Sequence, residues 1–289
     1  MSRLYFIPGL IWGSRPEGLR PLIAVIGDSY VEAVQVDYED TFYGQLARLM
    51  QNKARIYSFG FSGAPLSQYL VWARYAVEQF KADHLVFVIV SNDFDESIDE
   101  WHRGEGFHRY QRCNKNDYCL ERVDYTPSSY RGIVLSSALA RYLIYNLQVL
   151  DIGRKLQFLI NEQEYVANVP AEVEARRLAA SKLAVDLFFR DLPAYSGLPP
   201  EKTTFVVDGR VYDDDEKHFE DSFFGIMRRY FIQSALDKNY HVIDMKPVFS
   251  KDFARHGERF ETPRDAHWNE RGHRVVAERL FEHFGGIIP

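Results

Sequence analysis

The stretch Leu22-Ile23-Ala24-Val25-Ile26-Gly27-Asp28-Ser29 decides how this chain is read. Five consecutive apolar residues closed by a glycine have the length of a strand buried on both faces. That pattern belongs to a parallel sheet covered by helices rather than to a half-exposed antiparallel one. Residues 28 and 29 then leave the carboxyl end of a buried strand, the edge at which open parallel sheets hold their ligands.

Outward from this strand the same alternation continues. Thr41 to Met50 has helical spacing at Phe42, Leu46 and Leu49, and Arg55 to Phe59 reads as a second strand that leads into Gly60 and Gly63. Pro65 to Phe80 is a helix with Leu66, Leu70, Ala73 and Val77 on one face, and Leu85 to Val90 is a third strand that delivers Asn92 at its carboxyl end. Strand, helix, strand, helix, strand predicts an α/β fold, a three-layer α/β/α sandwich around a central parallel sheet of about five strands. Later strands fall at Thr203 to Val207 and Tyr240 to Ile243, with a helix from about Phe219 to Asp237 between them. Asn269 can cap a last helix reaching Phe284, with Val276, Leu280 and Phe284 on its buried face.

The period breaks in the middle of the chain. Phe94 to Tyr130 reads as loop or short hairpin over the strand ends, and Leu135 to Ile160 and Ala171 to Phe189 read as long helices. The chain is therefore taken as a single domain over 1–289, with 94–200 an inserted loop and helical cap. A helical layer that only extends the core fits the same pattern. Met1 to Pro21, punctuated by Pro8, Gly9, Gly13, Pro16 and Gly18, reads as a loop packed on the domain edge.

Composition narrows the partners. A net charge of −6 gives no basic surface for nucleic acid, and no apolar run approaches the ~20 residues that span a bilayer. The start lacks the apolar region of a signal peptide, which points to the cytoplasm. Cys113 and Cys119 are spaced for a small disulfide-closed hairpin, which would instead point to export, above all if an N-terminal anchor has been trimmed; free thiols fit the spacing equally. Asp213 to Glu216 could bind a cation but reads more readily as a solvated loop or helix start, and no metal or organic cofactor is implied.

Three distant sites each follow or flank a structural element and together supply the parts for acyl transfer: Gly27-Asp28-Ser29, Ser91-Asn92-Asp93 and Asp265-Ala266-His267. A serine nucleophile needs a base, a carboxylate to orient the base, and N–H donors for the oxyanion. Ser29 fits the nucleophile, His267 the base and Asp265 the orienting carboxylate. The Ser29 and Gly63 backbone N–H groups with the Asn92 amide fit the oxyanion hole. Ser62 is a rival serine without a Gly-x-Ser-x-Gly elbow, and His273 a rival base that falls inside the last helix. Asp28 and Asp93 read as carboxylates that organise their loops through backbone N–H groups. Trp268 either lines a pocket or packs beneath the loop.

These blocks resemble the SGNH (GDSL-type) hydrolase superfamily. Gly27-Asp28-Ser29-Tyr30 resembles its first block, with Tyr where Leu is usual; Gly60-Phe61-Ser62-Gly63 resembles the second, Ser91-Asn92-Asp93 the third, and Asp265-Ala266-His267-Trp268-Asn269 the last. The third block carries Val90 where the family usually has glycine. The Asp-x-His spacing, shorter than the common Asp-x-x-His, resembles the polysaccharide O-acetyltransferase branch. The resemblance implies a flavodoxin-like SGNH fold and a serine esterase acting on O-acyl or O-acetyl groups of a small-molecule or carbohydrate ester. An O-acyltransferase using the same triad and a catalytically silent SGNH-fold binding protein are the alternatives. A nucleotide-binding module fits less well, because no Gly-x-Gly-x-x-Gly run follows the first strand.

Overall fold

A computed structural model describes residues 20–98, 106–115, 117–124, 165–166, 169–210, 212, 216–262 and 265–288, with the backbone alone for Tyr165, Thr262 and Asp265. The expected helix at Leu135 to Ile160, nearly all of the N-terminal loop and Asp213 to Asp215 lie outside these residues.

The apolar runs become β1 (Leu22–Gly27), β2 (Arg55–Gly60) and β3 (His84–Ile89). A hairpin follows, β4 (His108–Asn114) with β5 (Asp117–Arg122), then a two-residue pair, β6 (Tyr165–Val166) with β7 (Val169–Pro170). The sheet resumes with β8 (Thr203–Val207) and β9 (His241–Asp244). A short antiparallel pair, β10 (Glu261–Thr262) and β11 (Asp265–Trp268), precedes the last helix. The described helices are α1 (Ser29–Glu32), α2 (Phe42–Leu49), α3 (Leu66–Phe80), α4 (Ala175–Ser196), α5 (Glu216–Asp221), α6 (Phe223–Leu236), α7 (Met245–His256) and α8 (Glu270–Gly285).

Five strands form one parallel sheet in the order β2-β1-β3-β8-β9. Alternate side chains divide its two faces, as the two-residue period of a strand requires. Leu22, Ala24 and Ile26 of β1 with Leu85, Phe87 and Ile89 of β3 pack under α3, α4 and α6, in a core that includes Leu70, Phe188 and Phe231. Ile23, Val25, Val86 and Val88 pack on the other face with Phe42 and Leu46 of α2, Phe249 of α7 and Val276, Leu280 and Phe284 of α8. Each such fully buried side chain contributes about 1.5–3 kcal/mol, so both helical layers are held mainly by this burial. The fold is the expected three-layer α/β/α sandwich. No helix among the described residues is long and apolar enough to cross a membrane.

Two local expectations change, and one helix is added. The single helix over Phe219 to Asp237 is two, because Ser222 is extended and its hydroxyl accepts the Gly225 N–H at 3.1 Å, opening α6 afresh. Helix α7 went unread: its apolar face is short, and it is fixed by Asp244, whose carboxylate accepts the Lys246 N–H at 2.8 Å. The residues around His267, expected as loop, form β11. Cys113 and Cys119 form a disulfide across the β4–β5 hairpin, with their Cα atoms 5.7 Å apart. The hairpin leans on α4, where Arg190 donates to the Asp117 carboxylate at 2.8 Å and the Tyr118 carbonyl at 3.0 Å.

His273, on α8, is fully buried; its Nδ1 accepts the Phe42 N–H at 3.2 Å, so the ring is neutral. Burial, with His267 nearby, lowers its pKa to about 3. His84 and His283, at the amino ends of the strands, are lowered to about 4, burial again being the main cause. Below pH 6.5 the unfolded chain takes up protons that these native sites refuse, so the histidines' contribution to stability is lost as pH falls from about 6.5 towards 4, against an opposite contribution from the buried carboxyls of Asp28, Asp93 and Glu96, whose pKa values are raised. His273 alone is expected to account for on the order of 3 kcal/mol. The difference in urea midpoint between wild type and His273→Gln isolates the His273 share: it should be largest at about pH 7 and shrink towards about pH 4.5.

Candidate active site

Strands β1 and β3 are hydrogen-bonded neighbours, yet the chain leaves them towards opposite faces, so a crevice opens between their carboxyl ends. Asp28 and Ser29 follow β1 into it. The buried Asp28 carboxylate accepts the Tyr30 N–H at 3.0 Å and so caps α1, whose first residue is Ser29. Burial raises the Asp28 pKa, offset in part by the Tyr30 N–H and the Asn92 amide. The glycines at the strand ends admit α1: a Cβ on Gly27 would meet Val31 Cγ2 at 2.4 Å, and one on Gly60 the Glu32 backbone N at 2.6 Å. Any side chain at Gly60 would push α1, and Ser29 with it, away from the sheet.

From 238 residues further on, β11 brings His267 to Ser29, with Nε2 2.7 Å from Oγ. The serine Oγ is also 3.2 Å from Asp28 Oδ2, a longer and weaker alternative for its one proton. The Asp265 backbone lies in β11, two residues before His267 in extended chain, while its carboxylate lies outside the described side chains.

Gly63 has φ +76°, a left-handed conformation suited to glycine, and faces open space. Its turn is tied to α1, the helix of Ser29, since the Glu32 carboxylate accepts both the Ser62 N–H at 2.7 Å and the Ser62 hydroxyl at 2.5 Å. Ser62 is therefore committed to Glu32. Asn92 stands in a 3-10 turn, Ser91–Asp93, and donates to Asp28 Oδ2 at 3.4 Å. Buried Asp93 holds that turn by accepting the Val90 N–H at 2.7 Å and the Tyr69 hydroxyl at 2.6 Å. Burial and then the Asp28 charge push the Asp93 pKa well up, and burial with the Asp95 charge pushes nearby Glu96 up to about 7. A serine hydroxyl against an imidazole, beside a left-handed glycine and a side-chain amide, is an arrangement able to carry acyl transfer.

No family model matches the chain, and no curated protein matches its sequence. Among solved structures, an acetyl xylan esterase, AlAXEase, is similar at 12% identity, covering 91% of this chain and 98% of its own, with a TM-score of 0.51. The chain shares the fold of this esterase. Also similar are LAE5, an alpha/beta hydrolase enzyme from the metagenome of Lake Arreo, Spain, at 12% identity, 92% and 95% coverage and TM-score 0.49, and a lipolytic protein of the G-D-S-L family from Veillonella parvula DSM 2008, at 13%, 91% and 98%, and 0.47.

Within this fold, the residues that depart from the blocks the sequence resembles have clear local reasons. Val90 is extended, at φ −126° and ψ 179°, and its side chain is buried in the sheet core, so the position makes no demand for glycine. Trp268 is fully buried against Phe42, Phe249 and Tyr30 and donates Nε1–H to Asp208 at 3.2 Å; it packs beneath the histidine strand. Arg210, Asp208 and Glu261 escaped the sequence reading. The first two directly follow β8, so the rule that function gathers at carboxyl strand ends was the signal that pointed to them.

Proposed function

We propose that this chain is a serine esterase that works through an acyl-enzyme. The observation that carries the reading is the 2.7 Å approach of His267 Nε2 to Ser29 Oγ at the carboxyl edge of the sheet. In the first half-reaction His267 Nε2 takes the Ser29 proton as Oγ attacks the ester carbonyl. The oxyanion is received by the Ser29 and Gly63 N–H groups and the Asn92 amide. Asp265 holds the other imidazole nitrogen in its N–H form. His267 then returns the proton to the departing alcohol, and water, activated by the same imidazole, releases the acid.

The substrate class is an O-acyl or O-acetyl ester of a small molecule or carbohydrate; an acetyl xylan esterase shares the fold, which supports this class. A second reading, transfer of the acyl group to a hydroxyl, is favoured by the Asp265-x-His267 spacing and uses every residue named above. The Cys113–Cys119 bridge supports placing the enzyme in an oxidising compartment.

Intact-protein mass after incubation with a fluorophosphonate ester tests the nucleophile. One adduct on the wild type, lost in Ser29→Ala, is the expected result. A folded wild type that takes no adduct would overturn the assignment. Products formed from an acetyl ester with and without an added sugar then separate hydrolysis from transfer.

A further inference from the structure

His267 sits on weak local structure. Among the described residues, strand β11 pairs only with the two residues of β10, and their register is irregular. Such a ladder cannot by itself hold an imidazole to a few tenths of an ångström. What holds it is a set of buried side chains that clamp the residues on either side of His267.

On one side, the Ala266 carbonyl accepts a hydrogen bond from Arg210 Nη1 and another, at 3.0 Å, from the Tyr30 hydroxyl. The Tyr30 hydroxyl in turn accepts from Arg210 Nη2 at 2.6 Å. On the other side, the Trp268 indole N–H reaches Asp208 Oδ1 while Asp208 Oδ2 pairs with Arg210 Nη2 at 3.1 Å. Glu261 of β10 stands 3.6 Å from the same guanidinium. Burial works against the Arg210 charge, but Asp208, Tyr30 and Glu261 outweigh it and raise its pKa, so the clamp stays charged.

Tyr30 adds the decisive link. It follows Ser29 directly in α1, and its ring lies 4.9 Å from the His267 ring, centre to centre. One side chain therefore touches the strand that carries the base and is covalently next to the nucleophile. We propose that Tyr30 and Arg210 are positioning residues that set the Ser29–His267 distance, an inference that rests on the esterase reading above. A guanidinium suits this role because its planar fork reaches a carbonyl, a hydroxyl and a carboxylate at once, which an ammonium cannot do in the same geometry.

The test uses p-nitrophenyl acetate turnover and the rate of fluorophosphonate labelling. Tyr30→Phe keeps the ring against His267 and Trp268 and removes only the hydroxyl. It is expected to lower kcat by about tenfold to a hundredfold, the scale of a small misplacement of reacting groups, with KM within about twofold and a melting temperature only a few degrees lower, roughly what losing one buried hydroxyl costs. Arg210→Lys should show the same loss and fail to rescue. In a His267→Ala background Tyr30→Phe should cost nothing more, because the group it positions is gone. The proposal is overturned if Tyr30→Phe keeps kcat within about twofold of wild type, or loses as much rate without His267 as with it. Wild-type activity abolished by Ser29→Ala while Tyr30→Phe is unaffected overturns this proposal alone. A wild type that neither turns over nor takes label overturns the esterase reading and this proposal with it. Should Arg210→Lys not fold, Tyr30→Phe decides.

Discussion

Replacement of His267 by alanine is expected to lower kcat by a factor of about 10⁴ to 10⁶, the largest effect of any single change outside Ser29. A serine hydroxyl is a poor nucleophile at neutral pH, and in the proposed mechanism the acceptor at 2.7 Å makes it a good one. Neither of the two described groups nearest in kind or place is suited to take over. His273 is buried, its Nδ1 is occupied by the Phe42 N–H, and its pKa is lowered to about 3, chiefly by burial. The Asp28 carboxyl is 3.2 Å from Oγ, but it also accepts the Tyr30 N–H and the Asn92 amide, which satisfy it as a structural acceptor. If Ser29 and His267 act as a unit, as the proposed mechanism requires, the double variant Ser29→Ala with His267→Ala should be no slower than either single one. Its residual rate would come from the oxyanion donors and substrate binding. Steady-state rates on an activated ester, with folding checked by circular dichroism, measure this. Retention of a tenth or more of the wild-type rate, roughly, in His267→Ala would mean that the proton leaves Ser29 by another route.

Much of this was legible because the strands advertise themselves. Leu22 to Ile26 and Leu85 to Val90 are apolar without alternation, and only a sheet covered on both faces accommodates that, so β1, β3 and the edge where Ser29 and Asn92 emerge followed directly. Asn269 reads as a cap from its type and its place before an apolar helix period, and its side chain does accept the Gly272 N–H at 3.0 Å. Features that depend on tertiary packing were invisible. Nothing local in Asp208-Gly209-Arg210 says that the guanidinium turns inward to meet Tyr30 and Ala266, 180 and 56 residues away. Gly60 looked like part of a loop motif, whereas its role is the close approach of the Glu32 backbone. The cysteine pair left bridge and thiols open, because seven residues of hairpin geometry, not spacing, bring the two Cα atoms to 5.7 Å. Trp268 was undecided for the same reason, since only the fold tells an inward from an outward tryptophan.

That last ambiguity can be settled by energetics. Trp268 is fully buried, with Phe42, Phe249 and Tyr30 around it, and α8 begins two residues later. Trp268→Ala would leave a cavity that the rigid sheet and two helices cannot close, at a cost of about 3–5 kcal/mol. Trp268→Phe refills most of the space but removes the indole N–H from Asp208, one of the hydrogen bonds that this buried carboxylate receives, which should cost about 1–3 kcal/mol. Urea midpoints with unchanged slopes would report both losses as native-state destabilisation. Activity should fall with them, because the same Asp208 pairs with the guanidinium that holds Ala266, and a loosened Asp208 loosens the strand of the base. A tryptophan that lined an acyl pocket would behave differently. Trp268→Phe would then change KM between short and long acyl esters and leave the urea midpoint near that of the wild type. The burial of the ring predicts the reverse: a lower midpoint, a lower kcat, and the same preference among acyl chains.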